Sequence, residues 1–235
     1  MAPAGATAPV NELHSVQGGD PGLYAGTHNT PSCDVEKQIR ALQASPAKNR
    51  AFASVAGVGP SAVPAYLRSL TPVQLRVDTR VTDHGYRGGA ATSYQAVLQT
   101  GTAVLVDSRG VPRVRCMSGN PLTPPVAQRT TPKVKGDHWA SYRPSNVVVV
   151  RPATQVIKVF VIFDSHQDKW FHRHRGDHSG HDDQWTKPPK HPVNPWATPV
   201  SPLPPSPSSP TPTGTSSPTS TGGAPAAPPA VSPRA

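Results

Sequence analysis

The side chains best able to do chemistry in this 235-residue chain are two cysteines and a run of histidines. Cys116 closes the stretch VLVDSRGVPRVRC and is followed by MSGNPLTPP. Three roles are open to it: nucleophile, metal ligand, or half of a disulfide. Arg113 and Arg115 flank it and would favour the thiolate, and His84 or His138 could act as base in a cysteine-dependent hydrolase. Papain-like enzymes, however, place their cysteine at the start of a helix, and this one ends a strand. A closed zinc site asks for paired cysteine spacings, which the separation of Cys33 from Cys116 does not offer. A Cys33–Cys116 bridge is the favoured reading. It would tie an N-terminal helix to the end of a β-hairpin, and it needs Cα atoms within about 6 Å and an oxidising compartment.

Residues 164–196 hold six of the ten histidines. His172, His174, His178 and His181, with Asp182 and Asp183, present nitrogen and oxygen donors at H-x-H and H-x-x-H spacing, which suits Zn²⁺, Cu²⁺ or Ni²⁺. Gly176 and Gly180 would let the chain fold round an ion but prebuild no geometry, so affinity should be modest. The competing reading is a solvated, pH-sensitive linker. Trp170, Phe171, Trp185 and Trp196 lie among Lys and Arg, a mixture that single-stranded nucleic acid and anionic interfaces favour. Packing of Trp170 and Phe171 at a domain edge is the simpler account. No Gly-rich phosphate loop, H-E-x-x-H or G-x-S-x-G occurs, so neither a cofactor site nor a complete catalytic constellation is expected.

The elements that must position these groups change character along the chain. Ser32 can cap a helix through SCDVEKQIRALQAS, with Asp34 and Glu36 in its first turn and Val35, Ile39 and Leu42 on one face. A second helix through KNRAFASVAGV would bury Phe52 and Val55 and end at Gly57. A third, entered at Ser61, would bury Val63, Leu67 and Leu70 and stop before Pro72. From Val73 the period becomes two, so VQLRVDTRVT reads as one half-buried strand. Residues 103–107 and 111–116 read as a hairpin turning at Ser108-Arg109-Gly110, with Pro112 marking an edge. NVVVVRP and QVIKVFVIFD, the most apolar strands, should form the sheet centre. Helices first and strands afterwards predict an α+β fold: short N-terminal helices packed on a mainly antiparallel sheet.

Composition sets the boundaries. Of 31 prolines, many crowd the C-terminus, where residues 197–235 are nearly all Pro, Ser, Thr, Gly or Ala and predict a disordered spacer. Residues 1–19 look similarly loose. The expected organisation is one domain over 20–165, a His/Trp-rich linker over 166–196, and the tail. The net charge of +10 comes from dispersed arginines, among them Arg68, Arg76, Arg80, Arg87, Arg109, Arg129 and Arg143. It favours anionic neighbours without supplying a specific nucleic-acid motif. No stretch approaches the roughly 20 apolar residues a membrane span needs. The first residues carry no export signal, so the chain is expected to be cytoplasmic or to have a start further upstream.

SCDVEK at 32–37, PAYLRSLTPVQLRVDTRVTDHGYR at 64–87 and YQAVLQTGTAVLVDSRGVPRVRCMSGNPLTPP at 94–125, with GLYAGT at 22–27 before them, resemble an uncharacterised actinobacterial family. It is a domain of unknown function found in streptomycete-type proteins, and the resemblance covers roughly residues 20–165. It implies an extracytoplasmic setting, commonly after an N-terminal anchor, and no particular activity. One departure lies at the hairpin exit: the family pattern reads Cys-x-Cys-Gly-Asn, whereas this chain has Cys116-Met117-Ser118-Gly119-Asn120. The resulting expectation is a non-enzymatic binding or scaffold domain of the cell envelope, its partner an anionic envelope polymer or a protein. Metal capture by residues 166–191 and a Cys116 hydrolase are the alternatives.

Overall fold

A computed structural model of the chain describes residues 14–127 and 135–194. The expected tail, the first thirteen residues, Arg129 and Trp196 lie outside the described residues. The fold is α+β, with three helices on a mainly antiparallel sheet.

Strand β1 (Ser15–Gln17) and strand β2 (Tyr24–Ala25) precede the helices. Helix α1 (Val35–Gln43) is capped by Asp34, not Ser32: the Asp34 carboxylate accepts from the Lys37 N–H at 2.8 Å. Cys33 therefore lies just outside the helix, bonded to Cys116. Helix α2 (Pro46–Ala56) carries Pro46 in its first turn, where no N–H is needed, and ends on Gly57 in the left-handed conformation. It buries Phe52 and Ala53, and Val55 is only half-buried. A 3₁₀ turn leads into α3 (Val63–Ser69), whose Val63 and Leu67 are buried as their spacing predicts.

The long strand expected from Val73 is in fact two. Strand β3 (Thr71–Leu75) starts directly after α3 and includes Pro72, and β4 (Thr79–Asp83) follows a break. Side-chain hydrogen bonds cause the break. Asp78 accepts from the Thr100 N–H and hydroxyl at 2.8 and 2.9 Å and from the Trp139 indole at 3.1 Å. Those bonds turn Asp78 inward, away from the solvent face that alternation assigned to it. Next come the two-residue strands β5 (Tyr86–Arg87) and β6 (Ala90–Ala91), then β7 (Tyr94–Leu98), β8 (Ala103–Val106), β9 (Pro112–Arg115) and β10 (Asn120–Thr123). Strands β11 (Val148–Arg151), β12 (Val159–Asp164), β13 (Lys169–His174) and β14 (Gln184–Thr186) complete the main sheet, from which β5 and β6 stand apart as a two-stranded ribbon.

The strand order is β1-β11-β4-β10-β9-β8-β3-β2-β12-β13-β14, with β7 also paired to β4. Parallel pairs occur where β11 meets β1 and β4 and where β12 meets β2. The expected hairpin is present, with Gly110 at φ 74° in its turn. Pro112 does not mark an edge, since β9 sits between β8 and β10. Its missing N–H falls where the β8–β9 register shifts, so no ladder bond is lost. Both faces of β8 are covered. Val104 and Val106 join the core inside the sheet with Leu75, Val81, Ile162 and Phe171, and Leu105 joins Val114 under the helices with Val35, Ile39, Phe52 and Leu67.

The sheet runs past both boundaries read from composition. Residues 15–17, expected to be loose, pair with β11, and Gly18 packs on Gly110 so closely that a Cβ on either would collide with the other's backbone. The expected linker contains β13, which pairs with β12 over six residues, and β14 beside it. Trp170 and Phe171 are buried, and the Arg76 guanidinium lies 4.6 Å from the Phe163 ring and 5.5 Å from that of Trp170. No helix among the described residues is long and apolar enough to cross a membrane.

Asp164, at the β12–β13 turn, is buried and accepts three backbone N–H bonds, from His28, His166 and Gln167 at 2.9–3.1 Å. Burial pushes its pKa up, but the three donors outweigh that and hold it below the usual carboxylate range. Its stabilising contribution is therefore complete above the unfolded value of about 3.9 and is lost as pH falls through the lower folded value. Urea unfolding of Asp164→Asn should show a flatter loss of stability below about pH 4 than the parent. Superimposable acid limbs would remove this assignment.

Candidate functional site

The two cysteines form a disulfide, with Cα atoms 5.7 Å apart. Both sulfurs are consumed, so Cys116 offers no thiolate and the hydrolase reading loses its nucleophile. The two candidate bases are occupied elsewhere: His84 pairs its Nε2 with the Thr123 hydroxyl at 2.8 Å, and His138 stacks on Tyr142.

The four histidines proposed as metal ligands do not form one group. His172 and His174 share a face of β13, and His174 lines a surface cleft with His181, Asp182 and Asp183. His178 lies 3.2 Å from the Gly176 carbonyl, and His181 is exposed. The Gly176–Gly180 turn closes round a carboxylate instead: Asp177 accepts from the N–H and hydroxyl of Ser179 and from the Gly180 N–H. Asp183 is engaged by Arg173, whose Nε and Nη2 reach its two oxygens at 2.9 and 2.5 Å, and by the Asn29 N–H at 2.8 Å. Among the described residues, no group of three or more His, Cys, Asp or Glu side chains is arranged to hold a metal ion.

Many of the arginines behind the net charge serve internal bonds. Arg109 donates to the carbonyls of Ala153 and Thr154, Arg113 pairs with Asp107, and Arg68 pairs with Glu36. The expectation of an anionic neighbourhood therefore rests on overall charge more than on a bare patch.

A cleft of about 180 Å³ does collect polar groups, and the disulfide braces both of its walls. One wall is α1, which begins just after Cys33, and α2, together contributing Gln38, Leu42, Lys48 and Phe52. The other is the turn that follows Cys116, contributing Ser118, Gly119 and Asn120, with His84 and Tyr86 closing one side. Gln38 donates its amide to the Cys116 carbonyl at 2.7 Å and so links the walls a second time. Gly119 has φ 69°, and a Cβ there would stand 2.8 Å from the Gln38 amide oxygen, so the turn requires glycine.

Beneath the turn, Asn120 donates to Asp83 at 2.7 Å, and Asp83, fully buried, pairs with Arg115 at 3.5 Å. This support fixes which way the Asn120 amide faces. His84 has its pKa lowered by burial, against a smaller upward pull from Asp83. The lining holds one ammonium, Lys48, and no carboxylate. Tyr86 lines the cleft, Met117 adjoins Ser118, and Tyr94 sits opposite Asp83 in the β4–β7 pairing. All three are exposed, Met117 at 83%. Exposed Tyr and Met are residue types enriched where proteins contact partners. Gln38, Lys48 and Tyr86 are missed by motif reading because they come from separate elements. The one local signal is a Gly-Asn turn placed directly after a cysteine.

A family model described as domain of unknown function (DUF6777) matches residues 14–176, from just before β1 to just after β13. Neither the curated proteins nor the solved structures contain a significant match to the chain.

Proposed function

The chain belongs to the DUF6777 family of domains of unknown function, and from that premise we propose a non-catalytic binding domain that works outside the cytoplasm, with the braced cleft as its recognition surface. The observation that carries the proposal is the cleft itself: oriented amides, one cation, an apolar floor and the exposed Tyr86 ring at one place. A disulfide holding both walls suits an oxidising compartment such as the cell exterior. The net charge of +10 draws the domain toward anionic envelope polymers, and the resemblance to actinobacterial extracytoplasmic domains points the same way.

The test is sedimentation of the oxidised full chain with isolated actinobacterial wall sacculi that retain their anionic polymers. Ala41 is exposed and lines the cleft, so Ala41→Trp fills it without touching the core. Retention should fall about tenfold in that variant. Equal retention of variant and parent would remove the cleft as the recognition surface.

A further inference from the structure

We infer that the cleft takes a single carboxylate-bearing sugar unit, as presented along an acidic polysaccharide; this rests on the binding reading above. Size comes first. At about 180 Å³ the cleft is smaller than the roughly 300–1,000 Å³ that drug-sized ligands fill, so it accommodates one ring and no larger cofactor. Hydrogen bonding comes next. Gln38 and Asn120 each have their amide held by an internal acceptor, Cys116 O and Asp83 respectively. A planar amide held this way offers a donor and an acceptor side by side, matching adjacent hydroxyls that both give and accept protons. Tyr86, exposed at the cleft, supplies aromatic surface for the face of the ring.

Charge selects the acid. Lys48 is the one charged group of the lining, with its Nζ 5.9 Å from the centre of the Tyr86 ring. One ammonium with no opposing carboxylate matches a monoanion. A phosphate would call for an Arg fork, a helix N-terminus or a nest of N–H groups. The lining contains no arginine, and although Lys48 stands in the first turn of α2, that turn opens on Pro46, which has no N–H to offer an anion. An extended peptide added as a strand needs an edge long enough to carry a ladder, and the strands that reach the cleft with a free edge, β5 and β6, are two residues each.

The experiment is an amide-resolved NMR titration of the oxidised full chain with glucuronate and N-acetylmuramate. Glucose, N-acetylglucosamine, inorganic phosphate and a short glutamate-containing peptide serve as comparisons. The acidic sugars should move the amides of residues 84–86 and 118–120 at concentrations about tenfold below their neutral counterparts, and Lys48→Gln should abolish that preference. Equal response to neutral and acidic sugars would overturn the assignment, as would a stronger response to phosphate or peptide. So would silence from every probe while Ala41→Trp still lowers wall retention. In those cases the cleft reading stands and only its saccharide fails. Loss of the wall result itself removes both.

Discussion

Replacing Cys33 and Cys116 together by alanine should lower stability by about 4 kcal/mol in the chain-entropy account of a cross-link closing so long a loop. The sequence separation is 83 residues, so the bridge restricts much of the unfolded chain. For a domain of this size the loss corresponds to a fall in melting temperature of roughly 10 °C. Calorimetry on parent and variant, each under oxidising and reducing conditions, checks it. Reductant should bring the parent down to the variant and leave the variant unchanged. If the reduced parent melts with the oxidised one, the bridge contributes no stability. The expected damage is also local: α1 packs its Val35 and Ile39 against Leu105 and Val114, and Cys33 belongs to that same cluster. Loss of the bridge should therefore be felt first where the helices meet β8 and β9, and so at the cleft walls.

The second large effect is at Arg173. This guanidinium has no solvent exposure and donates to Asp183, to the Pro72 carbonyl at 2.9 Å, and to the Thr27 and Thr30 carbonyls at 3.2 and 3.1 Å. Arg173→Met leaves a buried carboxylate and three carbonyls without their donor, which should cost about 3–5 kcal/mol. Asp183→Asn should cost less, since the amide oxygen can still accept from Asn29 and Arg173. The apolar pair Arg173→Met with Asp183→Leu should recover part of the loss, because a buried ion pair is dearer to break than to replace. Urea denaturation of Arg173→Met, Asp183→Leu and the double gives the coupling directly. Additive losses would show that the two side chains do not act as a unit.

How much of this was readable in advance depends on how local each cause is. The helices were, because Val35 and Ile39, or Val63 and Leu67, repeat at helical spacing and the stop at Gly57 is written beside them. The 103–115 hairpin was, because Gly110 supplies its own turn. The cysteine pair was favoured because the residues round Cys116 suited a strand end. By contrast, the break at Asp78 depends on Thr100 and Trp139, which no local window contains. The stretch KWFHRH reads as linker because charged residues among histidines suit a solvated segment. Yet Arg173 is fully buried, its partners lying up to 146 residues away. Spacing of two is shared by strand neighbours and by chelating pairs, so His172 and His174, on one face of β13, fit both patterns. The cleft was hidden for the same reason: Gln38, Lys48, His84 and Asn120 meet only in the folded chain.

The pairing of early with late strands sets the order of events at the ribosome. Tyr24 and Ala25 lie between β3 and β12, and the backbone at His28 waits for Asp164, 136 residues later. A nascent chain has no partner for this segment until most of it has been synthesised, and such non-local contacts slow folding. The helices can assemble early, but the sheet closes only once Arg173 has emerged to clamp Thr27 and Thr30. The sheet therefore closes late in synthesis, leaving an interval in which the unpaired early strands are open to chaperones.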